Sequence, residues 1–244
     1  MSVNSKPRPL FFFTAMEGLK SHNNKSEIPH PYKIISGRLF RGGGEVKNRD
    51  LGTFKVLNEI WSTDRKGVYV NDVKIPNADS NTFKLLNLIY GIDKDSVYSI
   101  TGAVKEADVS SFCAIDAGYF WDSDQKGIQM IEGYAKDSDK VFHYTYSMGK
   151  PKLLKEATAK DFVVMKWGFG SDRAKVYISG RRIKVAEFKS FEILGRFYSK
   201  DAANVYYLDR VIKNADPNTF QVEDETRYRG RDKHRIYIRE DAQD

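Results

Sequence analysis

Apolar and polar positions along this chain recur in blocks of 29 to 31 residues rather than with one helical or strand period. Each block opens with an aromatic and places an Asp three residues later. A Val-Tyr-like pair starts four residues after the Asp, and an Ala-acid step and a Phe follow. Four copies keep the spacing fixed: Trp61, Asp64, Val68, Tyr69, Ala78, Asp79, Phe83; Tyr90, Asp93, Val97, Tyr98, Ala107, Asp108, Phe112; Phe169, Asp172, Val176, Tyr177, Ala186, Glu187, Phe191; and Tyr198, Asp201, Val205, Tyr206, Ala215, Asp216, Phe220. A period of this length is an architectural signature, in which stacked units bury a core that none could bury alone.

The residue types inside the block predict its local structure. Asp and Asn bond their own backbone, so Asp64-Arg65-Lys66-Gly67 and Asp201-Ala202-Ala203-Asn204 read as turns between strands. Val-Tyr-Val and Val-Tyr-Tyr are β-branched and aromatic and read as strand. A second turn and a short arm complete a hairpin. The Ala-acid-x-x-Thr/Ser-Phe step reads as one helical or 3-10 turn, with Asp79 and Asp216 as N-caps and Pro217 at the first helical position. The expected fold is mostly β: an array of repeated β-hairpin units of about 29 residues, each with one short helical or 3-10 turn.

Departures from the pattern divide the chain. Residues 1–37 read as an N-terminal extension, with a strand at Leu10–Thr14 and a polar loop over Ser21–Ser26. Residues 38–116 form the N-terminal repeats, the first of them partial, with Arg49 in the Ala slot. Residues 117–133 carry a degenerate half-unit, Trp121, Asp124 and Ile128, which reads as one extra hairpin. Residues 134–240 form the C-terminal repeats. The unit Tyr134, Asp137, Val141, Phe142, Ala157, Phe162 holds six extra residues around Tyr144–Pro151, and the last copy stops at Asp232, Ile236, Tyr237.

The motif Asp-x-x-x-Val-Tyr-Tyr, as in Asp201 through Tyr207, followed by Ala215-Asp216-Pro217-Asn218-Thr219-Phe220, resembles the repeats of the DKNYY family of bacterial proteins. The resemblance covers about Arg38 to Ile238. It implies a repeat scaffold and brings no established activity, cofactor or catalytic residue. By association, it points to envelope or immunity-type binding proteins.

The composition, 41% hydrophobic and 13% aromatic over 244 residues, suffices for a sizeable core. The single Cys113 excludes an internal disulfide and is expected to be buried beside Phe112. No stretch approaches a membrane span of about 18 apolar residues. The run Leu10–Met16 is short for a signal segment and lacks a convincing cleavage site, so cytoplasmic residence is expected.

The sequence offers no catalytic constellation, metal set or cofactor motif. His22, His30, His143 and His234 lie far apart without metal-ligand spacing, with His22 and His30 expected to be exposed. Gly42-Gly43-Gly44 lacks the Lys-Ser/Thr ending of a phosphate loop and reads as a turn or bulge. Asp64, Asp93, Asp137, Asp172, Asp201 and Asp232 offer too few neighbouring oxygens for calcium. The local cluster Asp116, Asp122, Asp124, Asp137 and Asp139 is read as solvated turns. The row Tyr69, Tyr98, Tyr177, Tyr206, Tyr237 is read as stacked core rather than a ligand comb.

Charge is the remaining hint: a net +7, with basic residues gathered at Arg173–Lys189 and Arg227–Arg239. The leading reading is a noncatalytic protein-binding repeat protein of the bacterial immunity type, which occludes a toxin or effector. The alternative is nucleic-acid or anionic-polymer binding through the basic segments. The residues expected to contact a partner are Trp121, Tyr144, Tyr146, Tyr228, Arg229 and Arg231, in the irregular stretch and the basic C-terminal half-unit.

Overall fold

Short strands that alternate with tight turns can bury their apolar faces only by stacking, and the chain does so repeatedly. The computed structural model describes residues 32–122 and 128–243, without the side chains of 120–122 and 128–130. The Leu10–Thr14 strand, the Ser21–Ser26 loop, His22, His30, Asp124 and the Trp121 side chain lie outside the described residues.

The described residues form antiparallel sheets in chain order, with no α-helix among them. Six sheets have four strands. One of these runs Lys55–Val56, Trp61–Asp64, Gly67–Val70 and Val73–Lys74; another runs Glu192–Ile193, Tyr198–Lys200, Val205–Tyr207 and Arg210–Val211. The first sheet has three strands, Tyr32–Ile35, Arg38–Arg41 and Gly44–Glu45, and a two-stranded hairpin pairs Phe120–Asp122 with Ile128–Met130. Counting the larger sheets alone, there are seven. Among the described residues the array therefore begins at Tyr32, inside the stretch read from sequence as an extension. Tyr32 fills the aromatic slot, but Ile35 stands where the marker Asp would be.

The Ala-acid step is a 3-10 turn at Ala159–Asp161 and Phe188–Ser190. Elsewhere it is a bonded turn, as where the N–H groups of Thr82 and Phe83 both donate to the Asp79 carbonyl. Asp79 caps no helix; its carboxylate accepts from Asn81 N–H and the Thr82 hydroxyl. Gly42 and Gly43 make a turn with φ of 56° and 85°, between Arg38–Arg41 and Gly44–Glu45.

Two devices join each unit to the next. The closing Phe packs between the first aromatic of its own unit and the Val-Tyr-slot ring of the following one. The triplets are Trp61/Phe83/Tyr98, Tyr90/Phe112/Phe142, Tyr134/Phe162/Tyr177, Phe169/Phe191/Tyr206 and Tyr198/Phe220/Tyr237, with ring centroids 5.2–6.3 Å apart. Each such contact contributes about 0.5–1.5 kcal/mol beyond the area it buries. A small residue of the next sheet, in the series Ser62, Gly91, Ala135, Gly170, Ser199, Gly230, pairs across the ladder with the Val-Tyr-slot ring, and the closing ring lies on Gly91, Gly170 and Gly230. A Cβ on Gly91 would overlap the Phe83 ring.

The second device is the repeated Asp. Asp64, Asp93, Asp137, Asp172, Asp201 and Asp232 are only 2–5% exposed, which for Asp137 corrects its reading as a solvated turn. At Asp201, Oδ1 accepts from Ala203 and Asn204 N–H at 2.8 and 2.7 Å. Its Oδ2 accepts from Glu187 N–H, in the preceding unit's acid step, at 3.0 Å and from the Tyr206 hydroxyl at 2.6 Å. Asp93 and Asp232 repeat the arrangement with Tyr98 and Tyr237. Burial opposes ionisation of Asp232, but its backbone and tyrosine donors outweigh it and hold the pKa down, to about 2. The same balance lowers Asp93 and Asp201, and at Asp172 backbone donors and the Lys175 charge outweigh burial without a tyrosine.

Cys113 corrects another expectation: it is exposed. Strand alternation turns Phe112 into the core and the next side chain outward.

Candidate functional site

The second and third sheets enter their central hairpin through an Asx turn. Asn58 Oδ1 accepts from Ile60 and Trp61 N–H, and Asn87 Oδ1 from Ile89 and Tyr90 N–H. In the next sheet Asp116 takes this part. Its Oδ1 accepts from Gly118 N–H at 2.8 Å, but its Oδ2 accepts from Tyr134 N–H at 2.6 Å. The turn residue precedes its aromatic by three positions in the first two cases and by eighteen here, so fifteen residues are inserted within a conserved turn. They contain the hairpin Phe120–Asp122/Ile128–Met130.

The six-residue insertion leaves from the same place. The strands Glu132–Lys136 and Val141–Thr145 run two residue pairs past the usual end of the hairpin, and Glu132 pairs with Thr145. The longer insertion enters at Glu132, and the shorter one leaves at Thr145 through the 3-10 turn Tyr146–Met148. Two segments far apart in the sequence pattern thus emerge side by side from one hairpin end.

Beneath that end lies a polar cluster absent from the regular units. His143 Nε2 lies 3.0 Å from Glu132 Oε1, with His143 fully buried and Glu132 7% exposed. The Tyr134 ring packs on His143 with centroids 4.5 Å apart, and its hydroxyl donates to Gly168 O at 2.8 Å and accepts from Gly180 N–H at 3.2 Å. Turns of the next sheet close over the pair: a Cβ on Gly180, at φ +70°, would strike the imidazole, and one on Gly168 would reach 2.8 Å from Glu132 Oε1. His143 Nδ1 has no protein partner. Neither does the Tyr90 hydroxyl; its equivalents Trp61 and Tyr134 donate to carbonyls of the next unit, Leu88 and Gly168.

Burial raises the pKa of Asp116 above the usual carboxylate range, against N–H donation from Tyr134 and Gly118 and the nearness of His143, with Glu132 adding to the rise. Burial also pushes the phenols of Tyr90 and Tyr134 up. Glu132 and His143 have the composition of an acid–base pair, but sealed imidazole cannot meet a substrate. Among the described residues no group of three or more His, Cys, Asp or Glu could hold a metal. The cluster fixes the base of the projecting hairpin.

The residues expected at an interface fall into two separate groups. Trp121 lies on the inserted hairpin and Tyr146, 55% exposed, opens the shorter insertion. Tyr144 does not face a partner, which corrects that expectation. It is 1% exposed, on the strand face shared with Phe142, and packs with Ile89, Tyr90 and Phe112.

Tyr228, Arg229 and Arg231 lie together in the last sheet. Tyr228 is half-buried against Phe197, with Arg239 over its ring. Arg229 and Arg231 both pair with Glu223, at 2.8 and 3.3 Å. Within the basic stretch Arg173–Lys189, Arg181 pairs with Asp209, Arg182 with Glu156 and Lys175 with Asp172. Arg229 stands in the slot that Tyr198 fills one unit earlier, opposite Ile238 rather than Tyr207. The basic segment thus lies in the last described sheet, with Arg229 and Arg231 held by one carboxylate.

In the sequence His143 stands as a histidine without metal-ligand spacing, because its partner Glu132 lies eleven residues away across the hairpin. A Glu two residues before the aromatic and a His after the Val-aromatic pair would have marked this unit.

A model of the DKNYY family matches residues 61–210 and 181–241. The chain belongs to the DKNYY family. No curated protein and no solved structure matches it. In this DKNYY chain the repeated Asp and the aromatic five residues beyond it are joint residues between units. No described helix is long and apolar enough to cross a membrane.

Proposed function

We propose that this DKNYY protein is a noncatalytic binding protein that engages another protein through the paired insertions of its fourth sheet, residues 117–133 and 146–151. The observation that carries the reading is the pairing of Glu132 with Thr145, which brings both insertions to one hairpin end above a buried polar anchor. Loops held on a rigid scaffold are the usual carriers of recognition, and repeat arrays offer broad surfaces to protein partners. In its finer form the bound protein is a toxin or effector and the chain acts as an immunity protein.

The ion pairing of Arg229, Arg231, Arg181 and Arg182 disfavours a nucleic-acid role, since paired guanidinium groups release few counterions on a polyanion. The test is affinity capture from the native host with three forms of the full chain. The wild type and the Arg229→Ala/Arg231→Ala variant are expected to retain a stoichiometric protein partner, and a variant in which a two-residue spacer joins Asp116 to Tyr134 is expected to lose it. Equal capture by the spacer variant, or salt-sensitive capture of nucleic acid lost with the two arginines, overturns the proposal.

A further inference from the structure

Six of the seven larger sheets have four strands, and the first has three. The absent strand is the one that, elsewhere, lies beside the aromatic-slot strand, as Lys55–Val56 lies beside Trp61–Asp64. Among the described residues Tyr32–Ile35 is therefore an open edge. In the second sheet Leu57 N–H donates to Trp61 O, so the repeat's pattern turns the backbone groups of Tyr32 and Ile34 toward the same vacant side.

The uncovered region is apolar. Ile34 is 61% and Ile35 54% exposed, and a shallow groove of about 670 Å³ is lined by Tyr32, Ile34, Leu39, Phe54, Val56 and Leu57. Phe40 is half-exposed although its equivalents Tyr69, Tyr98, Phe142, Tyr177, Tyr206 and Tyr237 are at most 3% exposed. Among the described residues no preceding unit supplies a closing Phe for it. An exposed apolar edge of this kind is a template for an added strand.

The ordinary spacing cannot fill the gap. Phe54 precedes Trp61 by seven residues, and the seventh residue before Tyr32 is Lys25, followed by the polar Ser26 and Glu27. Farther back stands the apolar, strand-forming run Leu10-Phe11-Phe12-Phe13-Thr14. Residues 15–31 join it to the edge strand itself; fully extended they reach roughly 55 Å, far more than a return to the adjacent edge requires. Gly18, Pro29 and Pro31 suit a turning connection.

We propose that the chain's own Leu10–Thr14 segment docks on the open edge of Tyr32–Ile35 as the fourth strand of the first sheet and caps the N-terminal end of the array. The test uses the full-length chain. In a Cys113→Ser background, Ile34→Cys is combined in turn with Phe11→Cys, Phe12→Cys and Phe13→Cys. At least one pair is expected to form a disulfide within a monomer under mild oxidation. In wild type the Tyr32 and Ile34 amides are expected to be protected from hydrogen exchange. Phe12→Asp/Phe13→Asp is expected to speed their exchange at least roughly tenfold and leave the last sheet unchanged. Disulfides formed only between chains would assign the edge to a second copy and overturn the proposal. So would wild-type Tyr32 and Ile34 amides that exchange as fast as in the Asp variant.

Discussion

The sixth sheet and the fourth are built from the same repeat, yet they accept interruption differently. In the sixth, Tyr198, Asp201 and Tyr206 are each bonded into a neighbouring turn or unit, and every interval is kept. In the fourth, fifteen residues enter between Asp116 and Tyr134 and six more follow Thr145, while Asp137 still accepts from Asp108 N–H at 3.1 Å and Phe162 still reaches Tyr177. The contrast separates two kinds of position: the joint residues have fixed spacing, and the hairpin end opposite the Asp turn is free to grow. Growth there has a local cost, seen in the unpartnered Tyr90 hydroxyl and His143 Nδ1 and in the half-buried Asp116.

Acid gives the largest test of this contrast. The pKa values of Asp93, Asp172, Asp201 and Asp232 are depressed in the folded chain, so their stabilisation is fully present above the unfolded value of about 3.9. It is lost as pH falls through the folded values, about 2 for Asp232. Thermal melts between pH 5 and pH 2, each value about a unit apart, should show the midpoint collapsing over that window. Asp116 has the opposite sign. Its raised pKa makes its contribution greatest below the unfolded value, and that contribution falls as pH rises through the folded one.

Next in size is removal of a closing ring. Phe191→Ala should lower unfolding free energy by about 3–5 kcal/mol, since Phe191 packs on both Phe169 and Tyr206. Excision of the inserted hairpin, with a two-residue spacer left between Asp116 and Tyr134, should change stability by only about 1 kcal/mol. Urea titrations of both variants decide whether the joints or the insertion hold the array. An excision variant as unstable as Phe191→Ala would remove the distinction.

A smaller effect compares the two Asp joints directly. Asp201→Ala leaves three backbone N–H groups and the Tyr206 hydroxyl without their acceptor, for a loss of about 3 kcal/mol. Asp137 has Phe142 in place of the tyrosine, so Asp137→Ala should cost about 1 kcal/mol less. The smallest effect has the reverse direction. Asp116→Asn restores the residue type of Asn58 and Asn87 and removes a charge from a half-buried site. At pH 7 it should stabilise the chain by about 1 kcal/mol or less, and the gain should vanish below about pH 4.

Much of this architecture was legible in the sequence, because the intervals that keep the joints in register are also the intervals that repeat. Trp61, Tyr90, Phe169 and Tyr198 mark the core, and the rings of Tyr69, Tyr98, Tyr177, Tyr206 and Tyr237 are buried, as their repeated spacing predicts. What the sequence did not show was direction and partnership. Asp turns look alike whether solvated or buried, and the donor that buries Asp93 is a backbone N–H of Asp79, which has no sequence signature. The small-residue seat of the closing ring, Gly91 and its equivalents, was missed because Ser, Gly and Ala alternate there. Tyr144 looked like an exposed loop aromatic because the strand Val141–Thr145 is two residues longer than its equivalents. Arg229 and Arg231 looked like a basic face because their common partner Glu223 lies across a bulge near Val222.

The two-unit ownership of each joint also bears on how such a chain changes length over generations. The closing Phe and the acid-step N–H come from one unit, and the Asp, the small seat and the receiving ring come from the next. A tandem copying event that adds one whole period restores every joint wherever the copied stretch begins, since phase does not matter in a periodic chain. An event that adds a partial period breaks a joint unless it falls at the free hairpin end. A lineage built on this scaffold can thus lengthen by whole multiples and diversify at one corner of each repeat.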